Sequence, residues 1–274
     1  MSIIQVPVHY YRQFDAELEW EVPAEAYGGW NKTELPLDPN RTAVVVMHAW
    51  DCGEAGQYPG AFRAVEYIPR SYAISRDIFP GLLAAVRGAG IRLFHVVGGK
   101  DYYSRYPGFK QAVRLAGEEP PMSEQINHDD SYDQLQEFRR NNVFPGIHNC
   151  TDNDRSVTNL RFLPEAEPQG SEGVAATSKQ LFALCRHYGI NHLIYTGFAI
   201  DGCLLLSPGG MADMNRHGIL CSAVRQAVTA IENKESARRE VHKEVGLWRV
   251  ALIFGFVYDA DDLIRAFDNL HSSH

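Results

Sequence analysis

The chain has 274 residues, 45% of them hydrophobic and 22% charged, and carries a net charge of −8. That composition can bury a large core and excludes an intrinsically disordered chain. The acidic balance argues against nucleic acid or an anionic membrane as partner, and no apolar run approaches the roughly 20 residues of a membrane span. Residues 1–41 are rich in aromatics and proline and are expected to form an ordered extension, draped on the body or reaching a neighbouring subunit. Thr42-Ala-Val-Val-Val-Met47 is a short continuous apolar run, the pattern of a parallel strand covered on both faces. A helix is predicted over Asp77 to Arg87, with Asp77 as N-cap and Pro80 in the first turn, ended by Gly88-Ala-Gly90. Ile91 to Val97 reads as a second buried strand closed by Gly98-Gly99. Residues 100–155 read as a long polar connection, holding Tyr102, Tyr103, Tyr106 and Glu118-Glu-Pro-Pro121, of the kind that often forms lids or binding segments.

The next elements follow the same alternation. A helix is predicted from Ser178 to His187, then strands at Leu193 to Thr196, Ile219 to Ala223 and Ala251 to Phe256. A final helix, Ala260 to Leu270, has Asp259 as its N-cap. Strands separated by helix-length segments imply an α/β fold, doubly wound, with a mostly parallel sheet and helices on both faces. No internal repeat or low-complexity linker divides the chain, so 42–274 is read as one domain. The five cysteines, at 52, 150, 185, 203 and 221, show no C-x-x-C spacing, and the first residues lack the features of a secretion signal. A cytoplasmic protein is expected.

The stretch from His192 to Leu206 carries the chemistry. It reads as a buried strand that breaks at Gly197 into a tight turn, with Cys203 where a helix should begin. Backbone N–H groups without intrahelical partners and the positive end of a helix favour a thiolate there, the nucleophilic form of cysteine. The same groups can hold an oxyanion. The alternative reading is a small buried residue packed under the sheet, as free cysteines often are.

Thr196-Gly-Phe-Ala-Ile-Asp-Gly-Cys203 resembles the Thr-Gly-x-Ala-Thr-Asp-x-Cys segment of the isochorismatase-like cysteine hydrolases, which include nicotinamidases and N-carbamoylsarcosine amidases. The resemblance spans roughly Thr42 to Phe256, although only the cysteine segment is strong. It implies a Cys–Asp–Lys triad, a cis peptide at Phe198-Ala199, an oxyanion hole from the Ala199 and Cys203 N–H groups, and dimers or larger assemblies. Two triad positions depart from it. His48 stands where the family has its aspartate, with Asp51 three residues on, and no lysine precedes the helix leading to Gly189. Arg161, Lys179 and Lys100 are the candidate replacements. His48 could instead take the thiol proton, giving a Cys⁻/His⁺ pair oriented by Asp51.

Trp50, Phe198 and Tyr102 are the candidate pocket residues. Pro208 should bend or break the helix after Cys203. No histidine pair at a strand end and no G-x-G-x-x-G after a strand points to a metal or a phosphate cofactor, so neither is expected. The function read from these residues is hydrolysis of a C–N bond in a small amide or ureido compound through an acyl-enzyme at Cys203. The competing reading is a catalytically silent ligand-binding or assembly module on the same fold.

Overall fold

The computed structural model describes residues 1–118 and 124–271. In chain order the strands are β1 (Ile4–Arg12), β2 (Gly29–Leu37), β3 (Thr42–Met47), β4 (Trp50–Asp51), β5 (Arg92–Val96), β6 (Arg161–Phe162), β7 (Gly173–Ala175), β8 (His192–Gly197), β9 (Leu220–Val228) and β10 (Val257–Tyr258). The helices are α1 (Pro59–Ala64), α2 (Ile68–Asp77), α3 (Phe79–Gly88), α4 (Pro107–Ala116), α5 (Asp130–Asn142), α6 (Cys150–Thr158), α7 (Ser178–Tyr188), α8 (Cys203–Leu206), α9 (Met211–Arg216), α10 (Val241–Arg249) and α11 (Ala260–His271).

Eight strands form one sheet in the order β2-β1-β10-β9-β8-β3-β5-β7. From β10 to β7 every pairing is parallel, whereas β1 runs antiparallel to both β10 and β2. This is the α/β architecture expected from the alternation of strands and helices. Val44, Val46 and Ile194 join a core with Phe79, Leu82, Leu83, Leu263 and Phe267 on one face. Val45, Met47 and Tyr195 join Leu181, Leu184, Met211 and Leu247 on the other. Every residue of β3 is buried, which explains its unbroken apolar run. Each large side chain buried in these layers contributes roughly 1.5–3 kcal/mol.

Local signals set most of the boundaries. Thr177 caps α7 by accepting a hydrogen bond from the Gln180 N–H, and Gly189 closes that helix in the left-handed region at φ 70°. Leu181, Leu184 and Cys185 share its buried face. Pro208 breaks the helix begun at Cys203: α8 stops at Leu206 and α9 starts at Met211. The break is pinned, because the buried Tyr195 hydroxyl donates to the Gly209 carbonyl at 2.9 Å and the Gly209 N–H donates to Ser178 Oγ at 2.8 Å.

Four expectations need correction. Residues 1–41 are not a draped extension: β1 and β2 form a hairpin that extends the sheet beyond β10, with His9 opposite Val257. Lys32 Nζ ties this hairpin to Asp259, at 2.8 Å, and to Asp262 at the start of α11. Ala251 to Phe256 is not a strand; α10 runs on as a π-helical turn over Val250–Phe254, and the sheet resumes only at Val257. Six apolar residues suit either a strand or a buried helix end, and periodicity alone does not separate them. Asp77 ends α2 rather than capping α3, whose N-cap is Ile78. Finally, 100–155 is largely helical rather than a loop, containing α4, α5 and most of α6. Part of its Glu-Glu-Pro-Pro run lies outside the described residues.

Candidate active site

The chain leaves β3 to build β5 and β7 on one side, then returns to place β8 on the other. The crevice at the carboxyl ends of β3 and β8 is therefore a topological switch point, where ligands of open α/β sheets bind. Met47 pairs with both Val96 and Gly197, so the residues that follow, His48, Val97-Gly98 and Phe198, emerge side by side. Gly197 is required for the exit from β8. Its φ is +116°, and a Cβ there would lie 1.9 Å from the Met47 carbonyl oxygen.

After Gly197 the Phe198–Ala199 peptide is cis. The Ile200 N–H donates to the Thr229 carbonyl at 2.7 Å and the Leu204 N–H to the Ala199 carbonyl at 3.0 Å. Among the described residues no acceptor faces the N–H of Ala199 or of Cys203. Asp201 is structural: its Oδ1 accepts from the Ile231 N–H at 2.9 Å, holding that segment over the turn. Cys203 is half-buried. With only four residues in α8, the helix dipole expected to aid the thiol is short, and the orphan N–H groups are the main polar feature of the turn.

A cavity of about 250 Å³ opens beside this turn, lined by His48, Trp50, Tyr67, Phe144, Leu160 and Phe198 among others. Trp50 and Phe198 sit on the wall of this cavity. Tyr102 stands behind it, its hydroxyl accepting from Trp50 Nε1 at 2.8 Å. Cys203 is not itself on the wall. Tyr67 connects the two: it lines the cavity, and burial and then the neighbouring Cys203 thiol raise its phenol above the ordinary range. Sequence reasoning missed Tyr67, because a tyrosine just before a helix carries no signal of its partner more than a hundred residues away.

His48 departs from its expected role. It is 7% exposed and sits in the left-handed region at φ 52°, which costs a residue with a Cβ about 1–3 kcal/mol. Its ring stacks on Trp50, with centroids 4.3 Å apart and planes 13° apart. Nδ1 is buried without a partner, and Nε2 faces the space that Gly98 leaves open, where a Cβ would come within 3.3 Å. Burial lowers its pKa from 6.5 to about 4, so at neutral pH the imidazole is uncharged and a weak base. A standing Cys⁻/His⁺ pair is therefore not supported. Asp51 does not orient this ring either. Its Oδ1 accepts from the Tyr72 hydroxyl at 2.7 Å and the Gly53 N–H at 3.0 Å, and the residue faces the grooves outside the cavity.

None of the three candidate cations lines the cavity. Arg161 lies across the β4–β6 ladder from Asp51, Lys179 Nζ donates to the Glu118 carbonyl, and Lys100 is exposed. Among the described residues no group of three or more His, Cys, Asp or Glu side chains converges, and no helix is long and apolar enough to cross a membrane.

The buried imidazole predicts an acid-sensitive fold. Because the folded pKa of His48 lies below the unfolded value, the unfolded chain binds more protons between about pH 6.5 and pH 4, and stability falls as pH drops through that window. The loss attributable to His48 reaches roughly 3 kcal/mol at its acid end. Urea unfolding of wild type and His48→Gln from pH 7 to pH 4 measures it; parallel pH profiles for the two proteins would remove His48 from the account.

No family model matches this sequence, and no curated protein does. Solved structures similar to the chain include a cysteine hydrolase from Pseudomonas syringae pv. phaseolicola, at 13% identity and TM-score 0.49, covering 86% of this chain and 96% of the other. An isochorismatase family protein from Burkholderia thailandensis is 14% identical with TM-score 0.47, covering 85% and 97%. N-carbamoylsarcosine amidase from Thermoplasma acidophilum is 14% identical with TM-score 0.39, covering 81% and 97%.

Proposed function

We propose that the chain is a cysteine hydrolase that cleaves the C–N bond of a small amide or ureido compound through an acyl-enzyme at Cys203. One observation carries this reading: a half-buried thiol at the switch point of the sheet, with the Ala199 and Cys203 N–H groups lacking acceptors. In the reaction the Cys203 sulfur attacks the carbonyl carbon, and the carbonyl oxygen takes up negative charge against the two N–H groups. The C–N bond then breaks, and the nitrogen departs with the proton that left the thiol. Water attacks the thioester, releasing the acid and restoring the S–H. Tyr67, the cavity residue that interacts with Cys203, is the group available to pass that proton, its neutral hydroxyl accepting one proton as it gives up another.

A second reading is favoured by the absence, among the described residues, of any charged side chain on the cavity wall: an apolar ligand-binding module without turnover. Iodoacetamide separates the two. Burial pushes the thiols of Cys52 and Cys185 up to about 12 and raises Cys221 as well. At pH 7 the expected result is one equivalent incorporated at Cys203, at least about tenfold faster than at those three, followed by peptide mass spectrometry. A Cys203 no more reactive than Cys52 would sink the hydrolase reading.

A further inference from the structure

We infer that the cavity selects the uncharged, apolar moiety of a neutral amide and rejects ligands that carry a carboxylate. Its description as a substrate site rests on the hydrolase reading; the ligand class rests on the wall alone. The lining consists of Trp50, Phe144, Phe198, Leu160, Val157 and similar side chains, with no Lys, Arg, Asp or Glu among them. A dry apolar cavity of about 150 Å³ holds a benzene ring, so about 250 Å³ accommodates a substituted ring or a branched alkyl chain.

Most polar atoms of the wall are already used. Ser71 Oγ donates to the Ile68 carbonyl at 2.8 Å, Ser156 Oγ to the Cys52 carbonyl at 2.8 Å, and Cys52 Sγ to the Trp50 carbonyl at 3.6 Å. His48 Nε2, the Tyr67 hydroxyl and the Asn153 amide remain. These are neutral groups, able to donate to a carbonyl or accept from an amide N–H, but unable to neutralise a buried carboxylate. Placing an anion there removes its water without supplying a counter-charge, which is the costly half of a broken ion pair. Tyr67 lies on the Cys203 side, so the amide belongs at that end and the apolar part between Trp50, Phe144 and Leu160.

The test is calorimetric binding to full-length Cys203→Ser protein of two probes of similar shape, 4-methylbenzamide and 4-carbamoylbenzoate. The neutral amide should bind, with the carboxylate at least roughly 100-fold weaker. Val157→Lys places an ammonium on the wall at a position 42% exposed, and should narrow the gap to within about tenfold. Asn153→Lys serves the same purpose should the first variant fail to fold. A carboxylate that binds the parent protein within tenfold of the amide overturns the inference, as does no binding of either probe, or a gap unmoved in the lysine variants. These outcomes stand apart from Cys203 alkylation. Selective binding with an inert Cys203 removes the hydrolase and keeps the ligand class, whereas a reactive Cys203 without selective binding does the reverse.

Discussion

Cys203→Ala is expected to lower turnover of any amide the wild-type protein cleaves by at least about 10³-fold, the scale of loss when a covalent nucleophile is removed. Its binding of the same amide should change little, because the side chains that hold the apolar part are others on the cavity wall. The effect should therefore fall on kcat and not on affinity. Parallel assays on Cys185→Ala supply the control, since burial holds that thiol protonated, at about 12, and it does not line the cavity. Retention of more than a tenth of wild-type turnover in Cys203→Ala would place the chemistry elsewhere. A Cys185→Ala loss of equal size would do the same.

Gly197→Ala is expected to cost at least about 4 kcal/mol of stability, or to prevent folding. Two effects add there: a φ of +116°, unfavourable for any residue with a Cβ, and a methyl placed 1.9 Å from the Met47 carbonyl oxygen. The comparison is Gly189→Ala. That position also has a positive φ, +70°, but nothing lies within 4 Å of an added Cβ, so about 1 kcal/mol is expected. Urea midpoints of the two variants decide the matter. Equal losses would mean that β3 and β8 separate to admit the methyl group, and that the close approach is not what aligns His48 with Phe198.

Much of the architecture is legible in local patterns. The apolar run Thr42–Met47 marks a strand covered on both faces, and Thr177 and Gly189 bracket α7. Pro208 ends the helix after Cys203 because its ring cannot continue the hydrogen-bond ladder. The hairpin of β1 and β2 was hidden because its partner, β10, is two residues long and some 250 positions away. The apolar segment before β10 suited either a strand or a helix end, and in the structure it continues α10 as a π-helical turn. Gly255 lies against Cys221, where a Cβ would meet the Cys221 carbonyl oxygen at 2.5 Å.

For the site, the sequence by itself determined the turn after β8, which breaks at Gly197 and carries Cys203 at a fixed short spacing; the collision with Met47 that demands glycine there is tertiary. What surrounds that turn is tertiary. Asp51 lies three residues from His48 yet is turned to Tyr72, because Trp50 takes the side of His48 and the next residue of β4 points the other way. His48 is close to Gly98 and uncharged because the crossover from β3 to β5 buries its ring. Tyr67 acts on Cys203 across 136 positions of the chain, from the start of α2, which packs against β9 beside β8. Charge state, neighbours and the apolar wall depend on burial, which arises from contacts between residues far apart in the chain, and short-range patterns do not encode them.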